Sequence, residues 1–311
     1  MAKMYLHDGQ CIRWEHNGKL YLAEIQYSDL CTDPRTEDGN DCTMACWHGR
    51  YRLGDEEATK GLEPGEWWQR LVLEHVPAEE VFQAAVSGKL EGIRLSESED
   101  EPGSYDIYET CYLAGFQTSK EAQEYLEYSG IAEGNVADWI NDDLTISHCQ
   151  TLLAPYLAWL PLWLYDHSGI TMSCGSRTYP YNDRWDSCAV GWIIISKETA
   201  MNLTIGTSPE TCTPTTEDNW QQVAEQVMHD EVTLYDLYLR NEVYGYTLYE
   251  ADPAEDPDWE EVDSCWDFIG EDMVSSGMIE YLPGLREAID EDSAEEGETT
   301  CTQVVHKDYV F

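Results

Sequence analysis

Residues 160–197 decide how the rest of the chain is read: Leu160-Pro-Leu-Trp-Leu-Tyr-Asp-His-Ser-Gly-Ile-Thr-Met-Ser173, a polar loop, then Trp185-Asp-Ser-Cys-Ala-Val-Gly-Trp-Ile-Ile-Ile-Ser196. Two β-branched and aromatic runs flank a Gly/Ser/Pro/Asn/Asp loop, the pattern of a strand, a long hairpin connection and a second strand. Val190–Ile195 is a continuous apolar run of strand length, so the second strand is expected to be buried on both faces. Pairing of the two strands brings Asp166, His167 and Ser168 close to Asp183, Arg184, Asp186 and Ser187.

Outward from this centre the chain alternates strand and helix signals. Near the N-terminus, Cys11, Ile12 and Trp14 face Leu20–Tyr27 across Asn17-Gly18, a two-residue turn pair that predicts a β-hairpin. Residues 31–55 read as loop, with an apolar patch at 44–47. A helix is expected at 77–89, with Pro77 in its first turn and Gly88 as its stop. A loop follows at 96–103, a strand at 105–116, and helices at 118–128 and 136–140. Trp220, Val223, Ala224, Val227 and Met228 recur at helical spacing after a capping box at Thr215-x-x-Asp218. A separate short helix is expected at 234–239, then a strand at 243–249. The sum is an α+β fold: a mixed or antiparallel sheet core with flanking helices and an acidic C-terminal extension. Three regions are expected, 1–100, 104–249 and 250–311.

Composition constrains function. Seventeen Lys and Arg against 62 Asp and Glu leave a formal charge of −45 over 311 residues. Such a surface repels nucleic acid and anionic membrane and attracts basic surfaces, the commonest of which are grooves built for nucleic acid. General acidity that keeps a chain soluble is the alternative, although 11 Cys, 12 Trp and 20 Tyr fit poorly with a halophilic protein. From Glu250 to Glu298 there are 19 acidic residues and one basic residue, Arg286. Trp259, Trp266, Phe268 and Leu285 punctuate that run, which therefore reads as folded, with flexibility confined to 290–300. Its carboxylates and aromatics, Asp256, Asp258, Trp259, Glu260, Glu261, Asp263, Trp266 and Asp267, are the expected partner-binding residues. No long apolar run predicts a membrane span, and no apolar leader opens the sequence, so an intracellular protein with reduced thiols is expected.

Carboxylates are too numerous for their pairing to inform, and motifs that carry chemistry are few. Asp166, His167, Ser168 and Asp186 contain the residue types of a hydrolase or metal-assisted site, but neighbouring strand positions point to opposite faces and no nucleophile-elbow motif is present. The other reading is a tight turn at Gly169 with polar caps. Cys31, Cys42, Cys46 and His48 carry zinc-type ligands at poor spacing, against a reading as buried free thiols. Cys174 and Cys188 flank the central loop and are compatible with a disulfide only if geometry allows. No cofactor motif is visible.

Three blocks carry a resemblance. They are Asp33-Pro34-Arg35 with Thr43-Met44, Trp47-His48 and Leu53-Gly54-Asp55; Tyr165–Ser173 with Trp185-Asp186-Ser187 and Val190-Gly191-Trp192-Ile193; and Tyr244-Gly245-Tyr246 with Ser264–Gly270. Together they resemble a family of acidic proteins encoded by bacteriophages and other mobile elements, which includes anti-defence inhibitors of the Gabija type. Cys188 departs from the glycine expected in the second block. The resemblance covers about residues 33–270 and implies no catalytic residues. It implies an oligomeric inhibitor in the host cytoplasm that binds a nuclease–helicase defence complex directly and blocks DNA binding and cleavage. A virion structural protein is the remaining alternative.

Overall fold

In the computed structural model, residues 4–29, 31–37, 39–91, 93–97, 105–110, 124–125, 144–175, 185–205, 213–254, 256–292 and 305–306 are described. Their elements in chain order are β1 (Gln10–His16), β2 (Lys19–Tyr27), β3 (Thr43–Cys46), α1 (Glu56–Thr59), α2 (Pro64–His75), α3 (Ala78–Val86), β4 (Ile93–Glu97), β5 (Tyr105–Thr110) and β6 (Glu124–Tyr125). Then follow α4 (Ile146–Leu153), β7 (Leu157–Asp166), β8 (Ile170–Cys174), β9 (Ser187–Ser196), α5 (Lys197–Met201), β10 (Thr204–Ile205), β11 (Thr213–Pro214), α6 (Trp220–Leu239), β12 (Val243–Ala251), β13 (Glu260–Ile269), α7 (Leu285–Asp292) and β14 (Val305–His306). The fold is α+β, with antiparallel sheets and flanking helices.

The central stretch builds a four-stranded sheet in the order β3-β9-β7-β8. β7 and β9 pair as expected, but the connection between them holds a further strand, β8, which folds back on β7 through a tight turn at His167–Gly169. Val190, Ile193 and Ile195 of β9 pack with Met44, Leu162, Leu164 and Met172 against α6. Ile194 packs on the other face with Trp67, Trp68, Val81, Phe82 and Leu153 from α2, α3 and α4. β9 is thus buried on both faces. A bulge opposite Leu162–Trp163 puts Val190 on the same side as Ile193. Next to it, Gly191 leaves no room for a side chain: a Cβ there would lie 1.9 Å from the Ala45 carbonyl oxygen.

The second sheet runs β13-β12-β2-β1-β14. Asn17 and Gly18 both take positive φ and close the β1–β2 hairpin as a primed turn. One face of this sheet, from Ile12, Trp14, Ala23, Ile25, Tyr246 and Leu248, packs on Met273, Met278, Ile279, Leu282 and Leu285. The hairpin also grips that C-terminal segment, because Trp14 Nε1 donates to the Pro283 carbonyl at 2.8 Å. The boundary expected at 249/250 falls inside β12, and the N-terminal hairpin and the acidic strand share one sheet. β4, β5 and β6 form a third, small sheet, and β10 pairs with β11.

Several local expectations are corrected. Residues 43–46, read as loop, form β3, paired to β9. Residues 220–239 form one continuous helix, not two; Thr233 Oγ1 donates to the His229 carbonyl one turn back, so the hydroxyl is accommodated within the helix. Thr215 does not cap it: its hydroxyl donates to the Leu203 carbonyl, while Asn219 Oδ1 accepts from Thr216 N. Glu124 and Tyr125, expected within a helix, pair with Thr110 and Glu109 of β5; the rest of 118–128, and the helix expected at 136–140, lie outside the described residues. So do Asp183, Arg184 and most of 290–300, although Asp290–Asp292 complete α7.

Candidate functional site

Part of each resemblance block forms a packed or hydrogen-bonded cluster. The first surrounds Arg35, whose side chain is only 2% exposed. Nε and Nη2 donate to the two carboxylate oxygens of Asp55 (2.8 and 3.0 Å), Nη1 to Glu231 (2.5 Å) and Asn40 (3.0 Å), and Nη2 also to the Cys42 carbonyl (2.7 Å). Burial alone lowers the Arg35 pKa, but Asp55 and Glu231 hold it above its ordinary value. Gly54 lets the chain press against Met44, so that its N–H reaches the Tyr235 hydroxyl (3.0 Å) on α6.

The second block is the polar corner at the β7–β8 turn. The pairing of β7 with β9 does bring Asp166, His167 and Asp186 together. Asp166 N donates to the Asp186 carbonyl (2.7 Å), and His167 Nδ1 meets Asp186 Oδ2 at 2.8 Å. Asp166 is held by Arg50 and by the Tyr51 hydroxyl (3.1 Å). Ser168 does not join a reacting line: it sits in the left-handed region (φ 55°), and its Oγ donates to the carbonyl of His167 (2.7 Å). The imidazole is engaged by a carboxylate, the hydroxyl by a backbone carbonyl, and the His167 side chain is 63% exposed. This is the chemistry of a capped turn.

The cysteine sets do not converge. Cys42 and Cys46 belong to the core cluster against α6, and burial raises both thiols, Cys46 to about 12. Cys31 Sγ donates to the Thr32 carbonyl (3.3 Å). The His48 ring stacks on Tyr51 and accepts its backbone N–H. Among the described residues no group of three or more His, Cys, Asp or Glu is placed to hold a metal ion. Cys174 and Cys188 are free thiols on opposite sides of β7, opposite Leu162 and Leu164, so two strand spacings separate them, beyond disulfide reach. Cys174 Sγ instead lies 3.3 Å from His229 Nδ1.

The third block lies at the edge of the second sheet. β13 pairs with β12, and two bulges shift its register, opposite Tyr244–Tyr246 and Leu248–Tyr249. Glu260, Glu261, Val262, Asp263 and Ser264 are all exposed, as are Asp256 and Asp258 just before them. Asp263 accepts from the Tyr246 hydroxyl (2.7 Å), while burial and that bond raise the tyrosine's pKa. Asp267 takes φ 70° and accepts from Ser28 Oγ (2.8 Å), which ties it to the loop after β2 and makes it a bulge residue. The Trp266 ring covers Gly245, where a Cβ would lie 2.1 Å from the indole; the side chain remains 42% exposed. Trp259 folds back over the sheet, and the Arg13 guanidinium sits 5.3 Å from its ring centroid. Lys19 pairs with Glu250 (3.2 Å) and Asp252 (2.8 Å), pinning the β12–β13 connection.

Of the residues expected to meet a partner, Asp256, Asp258, Glu260, Glu261, Asp263, Trp266 and Asp267 are exposed on or beside one edge strand, while Trp259 is half-buried against Arg13. Arg13 carried no signal in sequence; only the register across β1, β2 and β12 places it over Trp259. No described helix is long and apolar enough to cross a membrane. No family model, curated protein or solved structure matches the chain.

Proposed function

We propose that the protein is a stoichiometric inhibitor that binds a basic, DNA-accommodating surface of a host DNA-processing defence complex, of the nuclease–helicase (Gabija) type, and blocks DNA binding and cleavage there. The observation that carries the reading is β13: an edge strand among the described residues, exposed from Glu260 to Ser264, with Asp256 and Asp258 beside it and two tryptophans on its flank. Set in a chain of charge −45, this edge presents carboxylates where the partner's groove presents Lys and Arg to phosphates. The bulges keep the edge from acting as a bare template for strand addition, so recognition runs through side chains. The working form in this reading is a homo-oligomer in the host cytoplasm that wraps the target, and it acts without catalysis, cofactor or contact to nucleic acid.

The test is co-purification with tagged nuclease–helicase defence complexes from host cells, repeated across a salt series. Recovery of a stable complex that weakens as salt rises is the expected result. No recovery at low salt with any such complex overturns the proposal.

A further inference from the structure

We infer that the outward ring of Trp266 is a docking point for an arginine side chain of the basic partner, so that the acidic edge selects guanidinium over ammonium. This rests on the reading of β13 as a partner-binding edge and adds a chemical identity to what it binds. The inner face of the indole lies on Gly245, which fixes the ring flat against the sheet and leaves the other face to solvent. The side chains sharing this side of the sheet follow from the register. Gly245, Thr247 and Tyr249 of β12 pair with Gln26, Glu24 and Leu22 of β2, and Thr247 and Tyr249 pair with Ser264 and Glu261 of β13. The aromatic face over Gly245 thereby shares its side of the sheet with Glu24, one side-chain row along, and Glu261, two rows along, in a chain of strongly negative charge.

Within the same molecule a guanidinium already uses such a ring. Arg13 lies over Trp259 on this side of the sheet, 5.3 Å from the centroid. A ring face attracts either cation through its quadrupole, as Lys197 Nζ does 5.7 Å from the Trp220 centroid, and the planar, weakly hydrated guanidinium also stacks flat on the ring, which favours it over the compact, strongly hydrated ammonium. Charge complementarity selects a basic occupant; the flat ring selects arginine among basic side chains.

The test compares labelled nona-arginine and nona-lysine peptides of equal charge by fluorescence anisotropy at low salt, on the full-length protein and on Trp266→Leu and Trp266→Tyr variants, each checked by circular dichroism and melting temperature. The expected result is arginine binding tighter by about two- to fivefold, a preference lost in Trp266→Leu and kept in Trp266→Tyr, with lysine binding unchanged throughout. Equal binding of the two peptides to the full-length protein, or a preference that survives Trp266→Leu, overturns the inference and leaves the acidic-edge reading standing. Failure of both peptides to bind at low salt overturns the inference and the acidic-edge reading together.

Discussion

Arg35 grips Asp55 through both carboxylate oxygens, at 2.8 and 3.0 Å, and its remaining donors reach Glu231, Asn40 and the Cys42 carbonyl. Every N–H of the guanidinium is satisfied in a buried site, which is the condition under which a buried ion pair holds together without cost from unpaired groups. The contact joins the loop after β2, the turn after β3 and the middle of α6. Arg35→Ala leaves Asp55 and Glu231 facing each other without a countercharge and is expected to destabilise by about 3–5 kcal/mol. Arg35→Lys cannot reproduce the two-oxygen grip and is expected to fall between. Urea unfolding of both variants checks this; a loss under about 1 kcal/mol for Arg35→Ala contradicts it.

Gly245 and Trp266 form one unit. A methyl at 245 would meet the indole at 2.1 Å, so Gly245→Ala is expected to push Trp266 off the sheet and cost about 1–3 kcal/mol. Tryptophan fluorescence should shift to the red with the loss of stability. An unchanged spectrum together with unchanged stability would show that the ring does not rest there.

At the β7–β8 turn, Ser168 holds φ 55° with its hydroxyl on the preceding carbonyl. Ser168→Gly removes the left-handed strain and is expected to be neutral or slightly stabilising, whereas Ser168→Val is expected to cost about 1–2 kcal/mol. His167→Ala removes an exposed pair with Asp186 and is expected to change stability by less than about 1 kcal/mol. Melting temperatures decide. A large loss from Ser168→Gly would mean that the hydroxyl does more than close the turn.

Asp236 on α6 accepts from Met172 N (2.7 Å), and burial raises its pKa despite that bond and the nearby Arg240. A carboxyl raised on folding favours the native state below its unfolded pKa of about 3.9 and loses that advantage as pH climbs through the folded value. Asp236→Asn keeps an acceptor for Met172 and removes the buried charge. Relative to the parent protein it is expected to gain stability at pH 7 and to gain less at pH 5, both above the isoelectric region near 4.1. A pH-independent difference would show that the carboxyl's ionisation is not what matters there.

How much of this was legible in the sequence depended on how local the determinants were. Asn17-Gly18 fixed the first hairpin, the 160–197 stretch predicted the buried pair β7 and β9, and the 220–228 spacing placed Trp220, Ala224 and Met228 in the core. β3 was missed because four residues carry too little periodicity; its identity comes from pairing with β9 almost 150 positions later. α2 was missed although Pro64 and Glu66 give it a helix start, because its Trp67-Trp68 pair reads equally as strand. β13 is not legible as a strand, since two bulges interrupt its alternation and its run of charged residues carries almost no apolar signal. Arg35 was visible only as part of a motif; its partners Asp55 and Glu231 lie 20 and 196 positions away.

In the proposed mode of action β13 occupies a surface made for DNA. This is tested most directly by titrating the protein into a purified nuclease–helicase defence complex carrying labelled duplex DNA at low salt, alongside a variant with Asp256, Asp258, Glu260 and Glu261 changed to their amides. Stoichiometric release of the duplex by the parent protein, weakening with salt, and little release by the amide variant are expected. Retention of the duplex at saturating protein, or equal release by the amide variant, would contradict it.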